Sequence, residues 1–103
     1  METDPWSTGS WPLMEEEILV INTGEFVRFN FPLTFFNRFL RPILKKGLLR
    51  PLRVFPVRDR EGGERVVVEV DPDSGVELKT WVLLKISEED DYFLTEVGPL
   101  DTG

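Results

Sequence analysis

The stretch FFNRFLRPILKKGLLRPLR, residues 35–53, carries six basic side chains and no acidic one. At about 100° per residue, Arg38, Arg41 and Lys45 fall on one side of a helical wheel and the apolar side chains fall on the other. The apolar set is Phe35, Phe36, Phe39, Leu40, Ile43 and Leu44. Because burying a large apolar side chain is worth about 1.5–3 kcal/mol, the apolar half is predicted to pack on the domain and the basic half to face outward.

Local signals set the limits of this predicted helix. Pro32 or Thr34 suits its first turn, and Gly47 suits the position just after its last turn. Pro42 lacks the N–H that a helix interior needs, so we expect a kink there or a second turn that begins at Pro42.

Strand patterns lie on both sides of the helix. Alternating apolar residues, separated by turns rich in Gly, Asn, Asp and Ser, predict five short strands. They are Glu17–Asn22, Glu25–Phe31, residues 50–57, Glu64–Asp71 and Val76–Ile86. The third contains Pro51 and Pro56 and is therefore predicted to lie at a sheet edge or to be broken. The sequence DPDSG, residues 71–75, is interpreted as a hairpin turn before the last strand.

These elements predict a small single domain of the α+β class. Its sheet is expected to be antiparallel, with about five strands in the order β-β-α-β-β-β and one amphipathic helix on one face. Residues 1–14 contain two Pro and two Trp and are interpreted as an amino-terminal arm. The domain is expected to occupy residues 15–97, followed by a carboxy-terminal tail at 98–103.

The predicted last strand leaves an apolar patch on the outer face of the sheet. If the helix covers the face that carries Leu78 and Val82, then Trp81 and Leu83 point away from it. Large exposed apolar patches are uncommon on monomers, so something is expected to cover these two side chains. The candidates are Trp6 and Trp11 of the arm, a second copy of the chain, or another protein.

The composition offers little for catalysis. The chain has no cysteine and no histidine, which excludes thiolate nucleophiles, imidazole bases and the commonest zinc ligands. Asp71, Asp73 and Glu77 resemble a calcium loop only faintly, because the required Gly and Glu are at the wrong positions. No spacing assembles a nucleophile, a base and an orienting group. The sequence predicts no enzyme, no catalytic residue, no metal site and no cofactor.

The charges are sorted along the chain. Residues 26–58 carry eight basic side chains and no acidic one, although the net charge of the whole chain is −7. Like charges three or four residues apart on a helix repel one another, so the basic side of the helix is expected to have an acidic neighbour. That neighbour is either within the chain, among the acids at 15–17 or 88–91, or on a partner.

We therefore expect a small non-enzymatic interaction module, such as a regulator, an inhibitor or an accessory subunit. Its partner is expected to be another protein or a second copy of the chain. The candidate binding residues are Arg38, Arg41, Lys45, Lys46, Arg50, Arg53, Trp81, Leu83, Trp6 and Trp11. The alternative is a nucleic-acid-binding protein that uses the basic segment 38–53, against which the acidic balance of the chain argues. A helix lying on a membrane surface is the third possibility, but the core needs the same apolar side chains.

Location and source are indicated only by composition. The acidic opening Met1-Glu2-Thr3-Asp4 is not typical of a secretory signal, and no apolar run approaches the roughly 18 residues of a membrane span. These features favour a cytoplasmic protein. Abundant charged residues and few thermolabile side chains are typical of heat-adapted proteins, and the size also suits a viral protein.

Overall fold

The described part of the chain is built around one five-stranded sheet. The computed structural model describes residues 16–97. Within them the strands are β1 (Glu16–Asn22), β2 (Val27–Pro32), β3 (Arg53–Arg58), β4 (Glu64–Val70) and β5 (Tyr92–Glu96). Their order across the sheet is β3-β4-β2-β1-β5. Neighbouring strands are antiparallel except that β5 runs parallel to β1. The small α+β domain with five strands is confirmed, but the sheet is mixed where an antiparallel one was predicted.

Helix α1 follows β2, as predicted, and Pro42 shapes it. It comprises three consecutive stretches, Leu33–Phe35, Phe36–Leu40 and Arg41–Lys45. The middle stretch is π-helical, and the Arg41 N–H donates to the Phe36 carbonyl, five residues back. In a regular α-helix the ring of Pro42 would crowd the carbonyl four residues before it. The wider turn directly before the proline relieves that crowding, so it stands where the sequence predicted a kink.

Gly47 ends α1, also as predicted. Its φ of 75° is in the left-handed region, which glycine adopts without steric cost. The Gly47 N–H donates to the Leu44 carbonyl at 3.1 Å, and the Leu48 N–H donates to the Ile43 carbonyl at 3.0 Å. This pair of bonds is the Schellman arrangement, and it brings the chain out of the helix with Leu48 beside Ile43.

The segment predicted to be the last strand is a helix. Helix α2 spans Pro72–Glu89 and includes all of residues 76–86. Asp71 caps it, because the Asp71 carboxylate accepts a bond from the Ser74 N–H at 2.7 Å, and Pro72 occupies the first turn. The motif DPDSG therefore begins a helix and does not form a hairpin turn. The observed order is β-β-α-β-β-α-β.

The replacement of a hairpin by a helix explains the mixed sheet. A hairpin would have reversed the chain direction after β4, whereas a helical crossover returns the next strand in the same direction. Strand β5 is consequently parallel to β1 and lies at the edge of the sheet beyond it. The fifth strand is Tyr92–Glu96, inside the range 15–97 that is predicted to form the domain.

Both helices pack on one face of the sheet. The core combines alternate residues of β1, β2 and β4 with the apolar side of each helix. The fully or nearly fully buried members are Ile18, Val20, Val27, Phe29, Phe31, Phe35, Phe36, Leu40, Val66, Val68, Val70, Leu78 and Val82. Phe35 lies at the centre, with its ring centroid 5.5 Å from that of Phe31 and 5.0 Å from that of Tyr92. The apolar half of α1 is therefore core, as its pattern predicts.

Strand β3 forms the second edge of the sheet, which confirms the predicted edge position, although it contains only Pro56 and begins after Pro51. The predicted arm at 1–14 and the predicted tail at 98–103 lie outside the described residues, and so do Trp6 and Trp11.

Candidate partner-binding surface

The basic side of α1 is neutralised at one end by a distant acid. Arg38 Nη1 lies 2.9 Å from Glu89 Oε1, near the end of α2. Arg41 Nη2 donates to the side-chain oxygen of Asn37 at 2.8 Å and remains exposed. Glu89, one of the acids at 88–91, is thus the acidic neighbour that the sequence predicted, and it neutralises Arg38.

Cations and aromatic rings connect the two helices. The guanidinium of Arg38 lies 5.1 Å from the ring centroid of Phe39. Lys85 Nζ lies 5.8 Å from the centre of the same ring and 5.6 Å from that of Trp81. Cation–π contacts of this kind are worth about 0.5–1 kcal/mol at exposed sites. They hold this end of α1 against α2.

Arg53 belongs to a different surface from the other predicted basic residues. It lies on the face of the sheet away from the helices, where Arg53 Nε donates to Glu69 Oε1 at 3.1 Å. Arg28 Nε donates to the other carboxylate oxygen of Glu69 at 2.9 Å. Burial of Glu69 by itself would raise the pKa of its carboxyl group, but the hydrogen bonds and charges of Arg53 and Arg28 outweigh that effect and lower the pKa.

We expect Glu69→Gln to destabilise the domain by about 1–2 kcal/mol at neutral pH, because two charge-assisted hydrogen bonds are weakened while both arginines stay partly in water. The folded-state pKa is lowered, so the contribution of Glu69 is fully present above the ordinary glutamate pKa. It is lost as the pH falls through the folded-state value. Urea unfolding at neutral and acidic pH measures the difference, which should shrink with acid.

Glu64→Gln is the matched control for Glu69→Gln. Glu64 lies on the same strand, is exposed, and approaches Arg58 at 3.7 Å. Such exposed pairs contribute little, so this variant should unfold like the parent protein at both pH values. Equal losses in the two variants would contradict the role assigned to Glu69.

The other three basic residues among the predicted binding residues lie close together, at the end of α1 and in the loop between α1 and β3. Lys45, Lys46 and Arg50 are exposed, and no carboxylate within residues 16–97 lies in salt-bridge distance of them. Two leucines of the same loop are also exposed, Leu48 by 72% and Leu52 by 59%. We call residues 45–52 the basic–apolar loop.

A shallow groove lies between the basic–apolar loop and α2. It has a volume of about 200 Å³, and its lining residues are Ile43, Leu48, Leu49, Ser74, Glu77, Leu78 and Trp81. Most of these side chains are apolar, and the Schellman turn at Gly47 places Leu48 at the rim. The sequence predictions did not single out Leu48 or Leu52. The signal was present in the Leu48-Leu49 pair directly after a helix-ending glycine, where no helical face remains to bury both.

The predicted outer patch of Trp81 and Leu83 does not exist as such. Both residues are in α2 and not in a strand, and a separation of two residues places them on different sides of a helix. Trp81 is half-buried and meets Phe39 edge to face, with ring centroids 6.4 Å apart. Leu83 is exposed.

Within residues 16–97, no group of three or more acidic side chains is placed to hold a metal ion. The same part of the chain has no helix that is both long enough and apolar enough to cross a membrane. Comparisons with protein-family models, with curated proteins and with solved structures find no match to this chain.

Proposed function

We propose that the chain is a small protein-interaction module whose basic–apolar loop binds an acidic segment of another protein. The observation that carries this proposal is the position of Leu48 and Leu52, which are largely exposed among Lys45, Lys46 and Arg50. A contact that buries one such leucine is worth about 1.5–3 kcal/mol. The surrounding charges favour an acidic partner and repel a basic one.

The groove supports a partner that presents apolar side chains as well as acids. Ile43, Leu49 and Trp81 form its floor and walls, so a large apolar side chain can dock beside Leu48. A nucleic acid would satisfy the cations but would leave the two leucines in water. The chain's net charge of −7 also opposes a polyanion beyond a Debye length of about 10 Å.

A direct test uses a fluorescent peptide of roughly three helical turns with Glu on one side and Leu on the other. Fluorescence anisotropy should show binding that weakens as salt is added. Leu48→Ser should weaken it about tenfold, equivalent to about 1.4 kcal/mol. Lys45→Glu with Lys46→Glu should weaken it further and remove most of the salt dependence.

Two comparisons make the peptide test specific. Leu83→Ser removes an exposed leucine from the side of α2 that faces away from Leu78 and Trp81, and it should leave peptide binding unchanged. A Glu-only peptide and a DNA duplex of equal charge should both bind less tightly than the mixed peptide. The proposal is wrong if the duplex binds tightest and Leu48→Ser has no effect, which is the pattern of a phosphate-binding surface.

A further inference from the structure

Strand β5 carries one row of backbone groups with which no strand among residues 16–97 pairs. The Glu16 N–H donates to the Asp91 carbonyl, and the Val97 N–H donates to the Val20 carbonyl. Since backbone direction alternates along a strand, the odd-numbered residues of β5 turn their N–H and C=O groups toward β1. Tyr92, Leu94 and Glu96 therefore turn theirs outward, at the edge of the sheet. An open edge of this kind is a template for another strand.

Exposed apolar side chains border the same edge. In β5 and just after it, Phe93 and Val97 are each 42% exposed. Helix α2 lies over this edge, as the ion pair between its Lys79 and Glu96 of β5 shows. Residues three before and four after Lys79 share its side of the helix, and these are Val76 and Leu83, exposed by 68% and 46%.

The opposite edge of the sheet is protected. Strand β3 contains Pro56, which has no N–H and so interrupts any ladder that a further strand would need. Charged residues, Arg53 and Arg58, stand at its two ends. Prolines and charges are the usual means by which edge strands avoid pairing. Within residues 16–97, β5 has neither a proline nor a covering element on its outer side.

We infer that β5 pairs with β5 of a second copy, antiparallel, around a twofold axis at Leu94. The outward groups of Tyr92, Leu94 and Glu96 then form about six hydrogen bonds between the chains. In this register Leu94 lies opposite Leu94 of the second copy, and Phe93 lies opposite its Thr95. The two α2 helices become neighbours above the joined strands, where Leu83 and Val76 of each copy lose contact with water.

This register places no like charges of the two β5 strands opposite one another. Asp91 lies opposite Val97 of the second copy, and Glu96 lies opposite its Tyr92, so no two carboxylates of the paired strands face each other. Glu96 is also neutralised within its own chain by Lys79. On each face of the joined strands, the exposed apolar residues of one copy lie beside those of the other copy across the twofold axis. A surface that matches itself under a twofold rotation is what a symmetric dimer requires.

Sedimentation equilibrium over a dilution series tests the dimer. The parent protein should reach a mass of about 24 kDa, twice the 11.9 kDa of one chain. Leu83→Glu should shift the equilibrium to the single-chain mass. Leu84→Glu is the matched control, because Leu84 is also exposed on α2 but follows Trp81 by three residues and so lies on the side away from β5. This control should remain dimeric.

Hydrogen exchange identifies the strand that pairs. In the dimer the amides of Tyr92, Leu94 and Glu96 should be as protected as those of Phe93 and Thr95, which bond to β1 in either state. Dilution to the monomer should release only the outward set, and Glu96→Pro, which has no amide N–H at position 96, should release those of Tyr92 and Leu94. A monomeric parent protein overturns the inference, as does a dimer that Leu83→Glu leaves intact or a dimer whose Leu94 amide exchanges freely.

Salt separates this inference from the proposed function. Two chains of net charge −7 repel each other, so added salt should strengthen the dimer. The same salt should weaken binding of the acidic peptide at the basic–apolar loop. Leu83→Glu leaves that loop untouched, and Leu48→Ser leaves the β5 edge untouched, so either proposal can fail without the other.

Discussion

Phe35→Ala should destabilise the domain by about 3–5 kcal/mol, the usual cost of deleting a fully buried aromatic side chain. Phe35 is completely buried and its ring stands 4.8 Å from Phe39, 5.5 Å from Phe31 and 5.0 Å from Tyr92, measured between centroids. These contacts join α1 to both β2 and β5. Removal of the ring leaves a cavity that three elements border, and all three must move to fill it. The midpoint of urea unfolding, with its slope, measures the loss.

Phe39→Ala provides the comparison on the same helix. Phe39 is half-buried, and its ring lies between Trp81 and the cations Arg38 and Lys85 at the surface. Its truncation should cost about half as much as that of Phe35, because water already reaches part of the ring. A larger loss for Phe39→Ala than for Phe35→Ala would mean that α1 is rotated about its axis relative to the arrangement described above.

The elements predicted correctly are those whose signals are local. The hairpin of β1 and β2 turns at Thr23-Gly24, where Asn22 accepts a bond from the Gly24 N–H at 2.9 Å. Gly47 terminates α1 just after its last turn, and β3 lies at an edge, as Pro56 predicts. In each case a few neighbouring residues restrict the backbone strongly enough that tertiary packing does not change the outcome.

Residues 76–86 were predicted to be a strand but are helical. Their apolar residues fit both the two-residue period of a strand and the period of about 3.6 residues of a helix. Val76, Leu78, Val82, Leu84 and Ile86 alternate as in a strand, and the segment also contains the β-formers Thr80 and Trp81. Yet Leu78, Trp81, Val82, Lys85 and Ile86 have helical spacing, and four of these five pack on the core as apolar side chains. The decisive signal lay just before them, in the capping Asp71 followed by Pro72. Because this segment was predicted to be a strand and not a helical crossover, the parallel pairing of β5 with β1 was not predicted.

The sequence predicted that the candidate surface is basic, but it did not predict which of its cations form ion pairs within the chain. The exposure of Lys45 follows from burial of the opposite side of α1, whereas Lys46 and Arg50 lie beyond the last helical residue. The ion pairs of Arg38 with Glu89 and of Arg53 with Glu69 join residues 51 and 16 positions apart. Only the folded chain reveals which cations are already neutralised, and therefore which of them remain available to a partner.

Gly75→Ala should destabilise the domain by about 1–3 kcal/mol, although alanine is normally the better helix former by about 1 kcal/mol. Gly75 is buried in the first turns of α2, where the helix crosses β2. A Cβ atom placed there would stand 2.5 Å from Val27 Cγ2 and 2.7 Å from Val27 Cβ. Carbon atoms do not approach so closely, and Val27 is buried at the start of β2, where it pairs with Asn22 of β1 and Val70 of β4. The helix must therefore move outward, which separates Leu78 and Val82 from the core.

Two further variants establish that the contact with Val27 is the cause. Gly63→Ala adds the same methyl group where it meets only the carboxylate of Asp59, whose flexible side chain can move aside, so its effect should be small. Val27→Gly in the Gly75→Ala background removes every side-chain atom that the new Cβ would strike, including the Val27 Cβ at 2.7 Å. Each single change should be costly, and the double variant should be more stable than their added effects predict by about 1 kcal/mol or more. Strict additivity would show that α2 does not press on β2 at Gly75, and a more stable Gly75→Ala variant would show that helix propensity outweighs the contact.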